Sequence, residues 1–233
     1  MYKDKIDTDN LPQHVAITMD GNGRWAKSKG KFRVFGHQGG VKAVRDTVEG
    51  AAEIGLKYLT LYAFSTENWK RPRKEVNFLF NLLEEFLLSK TNDLHKQGIR
   101  FKVIGNRKPF SKKLVSILSR SEKKTEKNKS LQLNLAINYG SKAELINAVN
   151  LIIKKNIPIT EKNLEKNLYT NDSSDPDLLI RTGNTNRLSN FLLWQTAYTE
   201  IYFIKKLWPD FTIMDYNKIL LKFEKTKRNF GKI

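Results

Sequence analysis

The residues Asp20-Gly21-Asn22-Gly23-Arg24-Trp25 put a carboxylate, two glycines and a guanidinium directly after a short β-branched run. Two glycines let the backbone turn tightly and approach a ligand. Free N–H groups where a helix begins, with Arg24 beside them, suit an anion. Asp20 is placed to carry Mg2+, which in turn binds diphosphate oxygens. The same six residues would also make a plain strand-to-helix turn with Asp20 as N-cap, and the run alone leaves both readings open. Downstream, KFRVFGHQGG spaces Arg33 and His37 four apart, so that on a helix they share one face and reach one phosphate group. A structural histidine is the plainer alternative.

Two further clusters have the same character. Ser65, Asn68 and Arg71 crowd polar groups onto a strand end beside two aromatics, followed by Pro72 and dense charge. This reads either as a substrate-facing strand end or as a solvated loop. Farther on, Arg181 and Arg187 flank a flexible polar loop that ends in Leu188 and Ser189. Arginine's planar fork matches phosphate oxygens better than lysine's point charge. Glu200 opens the next strand-like run and is read as a second carboxylate near a metal. Independently, VNFLFNLLEEFLL over 76–88 is apolar around more of its circumference than a surface helix needs. Such a helix either lines a channel for a long apolar substrate or lies between the sheet and a dimer partner.

The elements that must hold these groups are legible in the pattern. Strand-like runs fall at 14–19, 58–64, 100–104, 131–137, 177–180 and 200–204. Helical patterns fall near 38–55, 74–97, 110–127, 141–155, 160–168 and 213–228. Alternation of this kind predicts an α/β fold: a central, mostly parallel six-stranded sheet flanked by helices, with ligands outside the carboxyl ends of its strands.

Composition narrows the classes. The 233 residues contain no cysteine, which excludes disulfides and thiolate metal sites, and only His14, His37 and His95, too scattered for a multi-histidine zinc site. Residues 1–13 read as a polar arm with no apolar leader segment, and no apolar run approaches the roughly 20 residues that span a bilayer. A single cytoplasmic domain over 1–233 is expected. The net charge of +18 raises nucleic-acid or membrane-surface binding, but most lysines sit in polar helical stretches and no familiar nucleic-acid motif is present. No nucleic-acid partner is therefore expected.

The stretches HVAITMDGNGRWAK, FGHQGG, LTLYAFSTENWKRP, LNLAINYG, LLIRTG…RLSNFLLWQTAYTEIYF and LWPDF resemble, in order, the cis-prenyltransferase family, specifically the bacterial undecaprenyl diphosphate synthases. The resemblance covers nearly the whole chain. It implies a parallel sheet enclosing a hydrophobic tunnel, a homodimer, and condensation of isopentenyl diphosphate onto farnesyl diphosphate with cis stereochemistry. The product would be undecaprenyl diphosphate, the lipid-carrier precursor for cell-wall synthesis. It also implies roles. Asp20 and Glu200 match the Mg2+-associated carboxylates. Gly21, Asn22, Gly23, Arg24, Arg33 and His37 match the allylic diphosphate cradle, with Trp25 and Phe64 bordering the substrate. Ser65, Thr66, Glu67, Asn68, Trp69 and Arg71 match the segment that assists condensation, Asn68 as proton acceptor. Arg181, Arg187, Leu188 and Ser189 match the isopentenyl diphosphate site. Where the family commonly has Gly-Glu, this chain has Asn184-Thr185, and Ser141 stands for a second glycine. Non-catalytic relatives typically lack the first aspartate and cradle, which are present here. A long apolar product and a lysine excess together imply peripheral contact with an anionic membrane at the inner face of the plasma membrane.

Overall fold

The computed structural model describes residues 10–229. Its six strands are β1 (His14–Thr18), β2 (Tyr58–Ser65), β3 (Ile99–Ile104), β4 (Leu131–Tyr139), β5 (Leu178–Arg181) and β6 (Glu200–Phe203). They form one sheet in the order β3-β4-β2-β1-β5-β6, and every adjacent pair is parallel. β1, β4 and β5 are buried at every residue. Burial on both faces suits the unbroken apolar stretches of β1 and β5. β4 instead alternates, and satisfies its buried Gln132 and Asn134 by a hydrogen bond to each other and one from Asn134 to Thr60. The edge strand β6 is half-covered.

Seven helices flank the sheet: α1 (Asn22–Ser28), α2 (Arg33–Glu53), α3 (Arg73–Lys96), α4 (Lys112–Thr125), α5 (Ser141–Lys154), α6 (Glu161–Glu165) and α7 (Ile213–Glu224). One face of the sheet, through Leu59, Leu61, Leu133 and Leu135, packs on Val48 of α2, Val76 and Leu87 of α3, Leu114 of α4 and Tyr216 of α7. The other face, through Ala16, Tyr62, Ala136 and Leu179, is covered by Phe191 and Leu192.

The expected strands match to within two residues. α2 differs more, beginning at Arg33 rather than near 38. Gly36, Gly39 and Gly40 depress helix propensity there. Two of them are required by packing: a Cβ on Gly36 would stand 1.9 Å from the Asn22 backbone oxygen, and one on Gly40 would stand 2.6 Å from Asn22 Oδ1. The close approach of α1 to α2 is thus paid in helix propensity. The stretch after β2 is not an open loop but a 3₁₀ turn, Thr66–Lys70, with Ser65 and Asn68 forming a reciprocal cap. The polar arm over 1–13 lies outside the described residues up to residue 9, while the backbone N–H of Gln13 donates to Asp177 at 2.8 Å.

Candidate active site

Three chain segments leave the carboxyl edge of the sheet side by side. Asp20 follows β1, Ser65 closes β2, and Arg181 closes β5, paired in register with Thr18. Thr182 locks the first and third together: its hydroxyl donates to the Asp20 carbonyl at 2.7 Å and accepts from the Asp20 N–H at 2.9 Å. The N-cap of α1 is Gly21, at φ 110°, a left-handed conformation that favours glycine. Asp20 is therefore not spent on capping. Its carboxylate accepts from Arg181 Nη2 at 2.9 Å and pairs with Arg24 Nη2 at 3.3 Å.

Arg181 is a charge held almost out of water, only 4 % exposed. Besides Asp20 it donates to Ser189 Oγ at 2.8 Å and to the Arg187 carbonyl. Those bonds fold the 182–189 loop back over the strand end. Asn184 takes φ 51° in that loop, and asparagine is among the few residues that enter the left-handed region at modest cost. Ser141 likewise has work to do, since its hydroxyl accepts from the Leu193 N–H at 3.0 Å.

A second anion-sized focus lies across the cleft. Arg33 Nε and Arg71 Nη1 each donate to the Glu75 carboxylate at 3.2 Å, and His37 Nε2 approaches it at 3.4 Å. Arg33 and His37 thus do share one face and one anionic partner, here a carboxylate. Burial pulls the Glu75 carboxyl upward, but Arg33, Arg71 and the hydrogen bonds from His37 and Arg33 outweigh it and hold it below its ordinary range. Burial lowers His37 more than its Glu75 hydrogen bond raises it, so the imidazole is neutral at pH 7. The Arg33 guanidinium lies against Gly23, where a Cβ would stand 2.8 Å from its central carbon. Glu75 was absent from the sequence reading; the signal was a lone carboxylate four residues after Arg71 in a run of cations.

Between these foci a cavity of about 430 Å³ opens and runs inward between the sheet and helices α2 and α3. Its mouth carries Asp20, Asn22, His37, Arg71, Arg181, Arg187 and Ser189. Its inner wall is apolar: Leu61, Leu133 and Leu135 from the sheet, Val41 and Val44 from α2, and Leu79, Phe80, Leu83 and Phe86 from α3. Part of the wide apolar surface of α3 therefore lines the cavity, while Val76 and Leu87 are buried in the core and Leu88 is exposed. Asn68 and Ser65 stand at the wall, the Asn68 side-chain oxygen fixed by the Ser65 N–H at 3.1 Å. Gly21, Gly23, Arg24 and Arg33 line a polar recess that shares Asp20 and Arg71 with the cavity.

Several expected residues stand behind the wall rather than on it. Trp69 donates to Asn138 Oδ1 at 2.7 Å and packs its ring on Phe64 and Phe80. Glu67 is held by the Asn190 amide at 2.9 Å, and the Thr66 hydroxyl faces Gly140. Leu188 packs beside Tyr62 and Phe191. Trp25 turns aside, donating to Asp210 at 2.7 Å with Lys29 over its ring. Glu200 stands apart from the other site residues within the chain. It pairs with Leu178, at the amino end of the sheet, whereas Asp20 lies past the carboxyl end. At about 3.3 Å per strand residue the two ends are on the order of 10 Å apart, so within one chain Glu200 does not join Asp20.

The donors suit a hard cation held chiefly by its ligand. Among the described residues no group of three His, Cys, Asp or Glu side chains forms a cage. Asp20 presents a part-exposed carboxylate at the mouth, 31 % accessible, beside arginines that would hold phosphate oxygens. One carboxylate plus substrate diphosphate is a usual environment for Mg2+.

Residues 18–231 match a prenyltransferase family model described as "Putative undecaprenyl diphosphate synthase". An isoprenyl transferase of Aquifex pyrophilus is 48 % identical over 96 % of this chain and 97 % of its own length. A ditrans,polycis-undecaprenyl-diphosphate synthase of Pasteurella multocida, described as (2E,6E)-farnesyl-diphosphate specific, is 45 % identical over 97 % of this chain and 98 % of its own. Among solved structures, lavandulyl diphosphate synthase from Lavandula x intermedia, in complex with dimethylallyl diphosphate, superposes with a TM-score of 0.91 at 36 % identity. That match covers 96 % of this chain and all of that one.

Proposed function

We infer that this chain, which belongs to the undecaprenyl diphosphate synthase family, is a cis-prenyltransferase that adds isopentenyl diphosphate repeatedly to farnesyl diphosphate, making undecaprenyl diphosphate. The observation that carries the reading is the convergence of Arg24, Arg33, Arg71 and Arg181 on the mouth of a cavity whose inner wall is hydrocarbon. A diphosphate on a long apolar tail is the ligand that satisfies both ends.

The allylic diphosphate belongs with Arg24, Arg33, Arg71 and the open backbone of Gly21-Asn22-Gly23. The isopentenyl diphosphate belongs with Arg181, Arg187 and Ser189. Mg2+, held by Asp20 and diphosphate oxygens, would supply Lewis-acid stabilisation of the leaving group. The guanidiniums are aimed where negative charge grows as the allylic C–O bond breaks and its electron pair leaves with the diphosphate. The isopentenyl double bond then supplies the electrons of the new C–C bond, and one proton departs to leave the new cis double bond. To Asn68, its oxygen fixed by the Ser65 N–H, we assign the uptake of that proton. Leu61, Phe64 and Phe80 keep water from the electron-poor carbon. The lengthened chain moves along the apolar wall, each CH₂ buried stabilising it by about 0.8 kcal/mol, so the cavity serves as the tunnel of the growing product.

The working unit we propose is one domain over 1–233 in a homodimer. Ile146 and Ile153, exposed on one side of α5, and the half-covered edge strand β6 support that pairing. Among the described residues no helix is long and apolar enough to cross a membrane. The charge of +18 supports a peripheral place on the inner face of the plasma membrane. The test is incorporation of labelled isopentenyl diphosphate with farnesyl diphosphate and Mg2+, resolved by chain length. Long cis-polyprenyl diphosphate that disappears with EDTA and in Asp20→Ala is expected. A well-folded wild type that makes no product would overturn the assignment.

A further inference from the structure

We propose that residues 27–35, the knuckle between α1 and α2, are a docking surface for an anionic lipid bilayer. Phe32 and Phe35 seat among the headgroups, and Lys27, Lys29 and Lys31 lie against lipid phosphates. Phe32 is 81 % exposed and Phe35 45 %, one turn apart at the start of α2. Phe32 is the N-cap, in extended conformation, so its ring stands beyond the helix end. Ammonium groups are interleaved with the aromatics: Lys31 Nζ lies 5.9 Å from the Phe35 ring centroid and Lys29 Nζ 4.7 Å from that of Trp25. Between Asp20 and Asp46 the chain has seven lysines and arginines and no carboxylate, although 24 acidic residues are spread over the whole chain.

An exposed aromatic pair within a wholly cationic stretch has the composition of an interfacial lipid contact. Its place adds a second argument. The following turns of α2 put His37, Val41 and Val44 on the cavity wall, so the knuckle borders the mouth through which an apolar product leaves. This purpose rests on the prenyl-transfer reading; the surface itself does not.

The full chain is tested by flotation with vesicles of phosphatidylcholine alone and with about one-third phosphatidylglycerol. Binding that requires the anionic lipid is expected. At roughly a tenfold effect per 1.4 kcal/mol and about 1 kcal/mol per lysine, Lys29→Gln with Lys31→Gln should lower partitioning about 30-fold. Phe32→Ser with Phe35→Ser should lower it at least about tenfold. A control pair on α4, Lys123→Gln with Lys124→Gln, should change it less than about threefold. Equal losses in the control and knuckle variants would reduce the effect to net charge and overturn the proposal. So would unchanged binding of the phenylalanine variant, equal binding to neutral vesicles, no binding, or displacement by a single-stranded oligonucleotide, whose bases can stack on aromatics. Turnover in detergent is measured on the same preparations. All three double variants should match wild type there, whereas an inactive wild type would count against the enzymatic reading and leave the flotation result standing.

Discussion

Glu75 should be a stabilising residue of the empty enzyme through its charge, and Glu75→Gln isolates that charge while keeping the shape. The carboxylate is buried, 9 % exposed, and holds Arg33, Arg71 and His37. Arg33 is 58 % exposed, so its pair is worth a surface value of about 0.5 kcal/mol. Arg71, 30 % exposed, keeps more of a charge-assisted bond, about 1.5 kcal/mol, and the long His37 contact adds about 0.5 kcal/mol. The loss is about 2.5 kcal/mol, or about 5–10 °C in Tm for a chain of this size. The pH dependence has a definite sign. Because the folded carboxyl lies below its ordinary value of 4.5, its contribution is complete above that pH and is lost as pH falls through the folded pKa. Urea unfolding of both proteins, without diphosphate, at pH 7 and at steps below about 4.5 measures this. Equal stability at neutral pH, or a gap that stays constant into acid, would refute the reasoning.

Three other changes follow from the same geometry. Asn190→Ala removes the amide that joins Glu67 to the Lys142 N–H, so KM for isopentenyl diphosphate should rise about tenfold while Tm falls only slightly; an unchanged KM in steady-state kinetics counts against that link. Leu135→Trp fills the inner cavity wall, so labelled products should shorten while the first condensation continues at near its normal rate; products of unchanged length would show that the chain does not run there. Gly36→Ala drives a Cβ into the Asn22 carbonyl, and the resulting separation of α1 and α2 should lower the melting temperature by about 5 °C or more and weaken allylic diphosphate binding; calorimetry and titration with a non-reacting diphosphate analogue both read this.

Much of this was legible in the sequence because two unrelated signals agreed. Strands buried on both faces declare themselves as short runs rich in Leu, Ile and Val, and the residues just past them then mark the ligand edge of a parallel sheet. Asp20, Ser65 and Arg181 were found that way. Glu200 falls outside that rule: as the residue that opens β6 it lies at the opposite edge of its own sheet from the residues that close β1, β2 and β5. The early start of α2 was hidden because Gly36 and Gly40 serve a helix–helix approach that no local propensity records. Glu75 was hidden because two of its partners, Arg33 and His37, come from α2, an encounter set by packing; only Arg71, four residues before it, is reached by local spacing. The wide apolar face of α3 was visible, but which of its residues line the cavity follows only from the packing.

The two carboxylates among the arginines also bear on which anions the cleft accepts and how it lets them go. Asp20 faces Arg24 and Arg181, and Glu75 faces Arg33 and Arg71, so four guanidiniums carry two countercharges of their own. Chloride or another monovalent ion would displace one of these contacts at best and gain little. A diphosphate, reaching several guanidiniums at once, can outbid both carboxylates, so the cleft sorts anions by valence. When inorganic diphosphate departs from the allylic site, Glu75 retakes Arg33 and Arg71 and Asp20 retakes Arg24. When the lengthened product leaves the isopentenyl site, Asp20 likewise keeps the nearly buried Arg181 from being stranded without a countercharge. The internal ion pairs therefore lower the barrier to emptying the site, a step that an enzyme making many successive additions must repeat after each one.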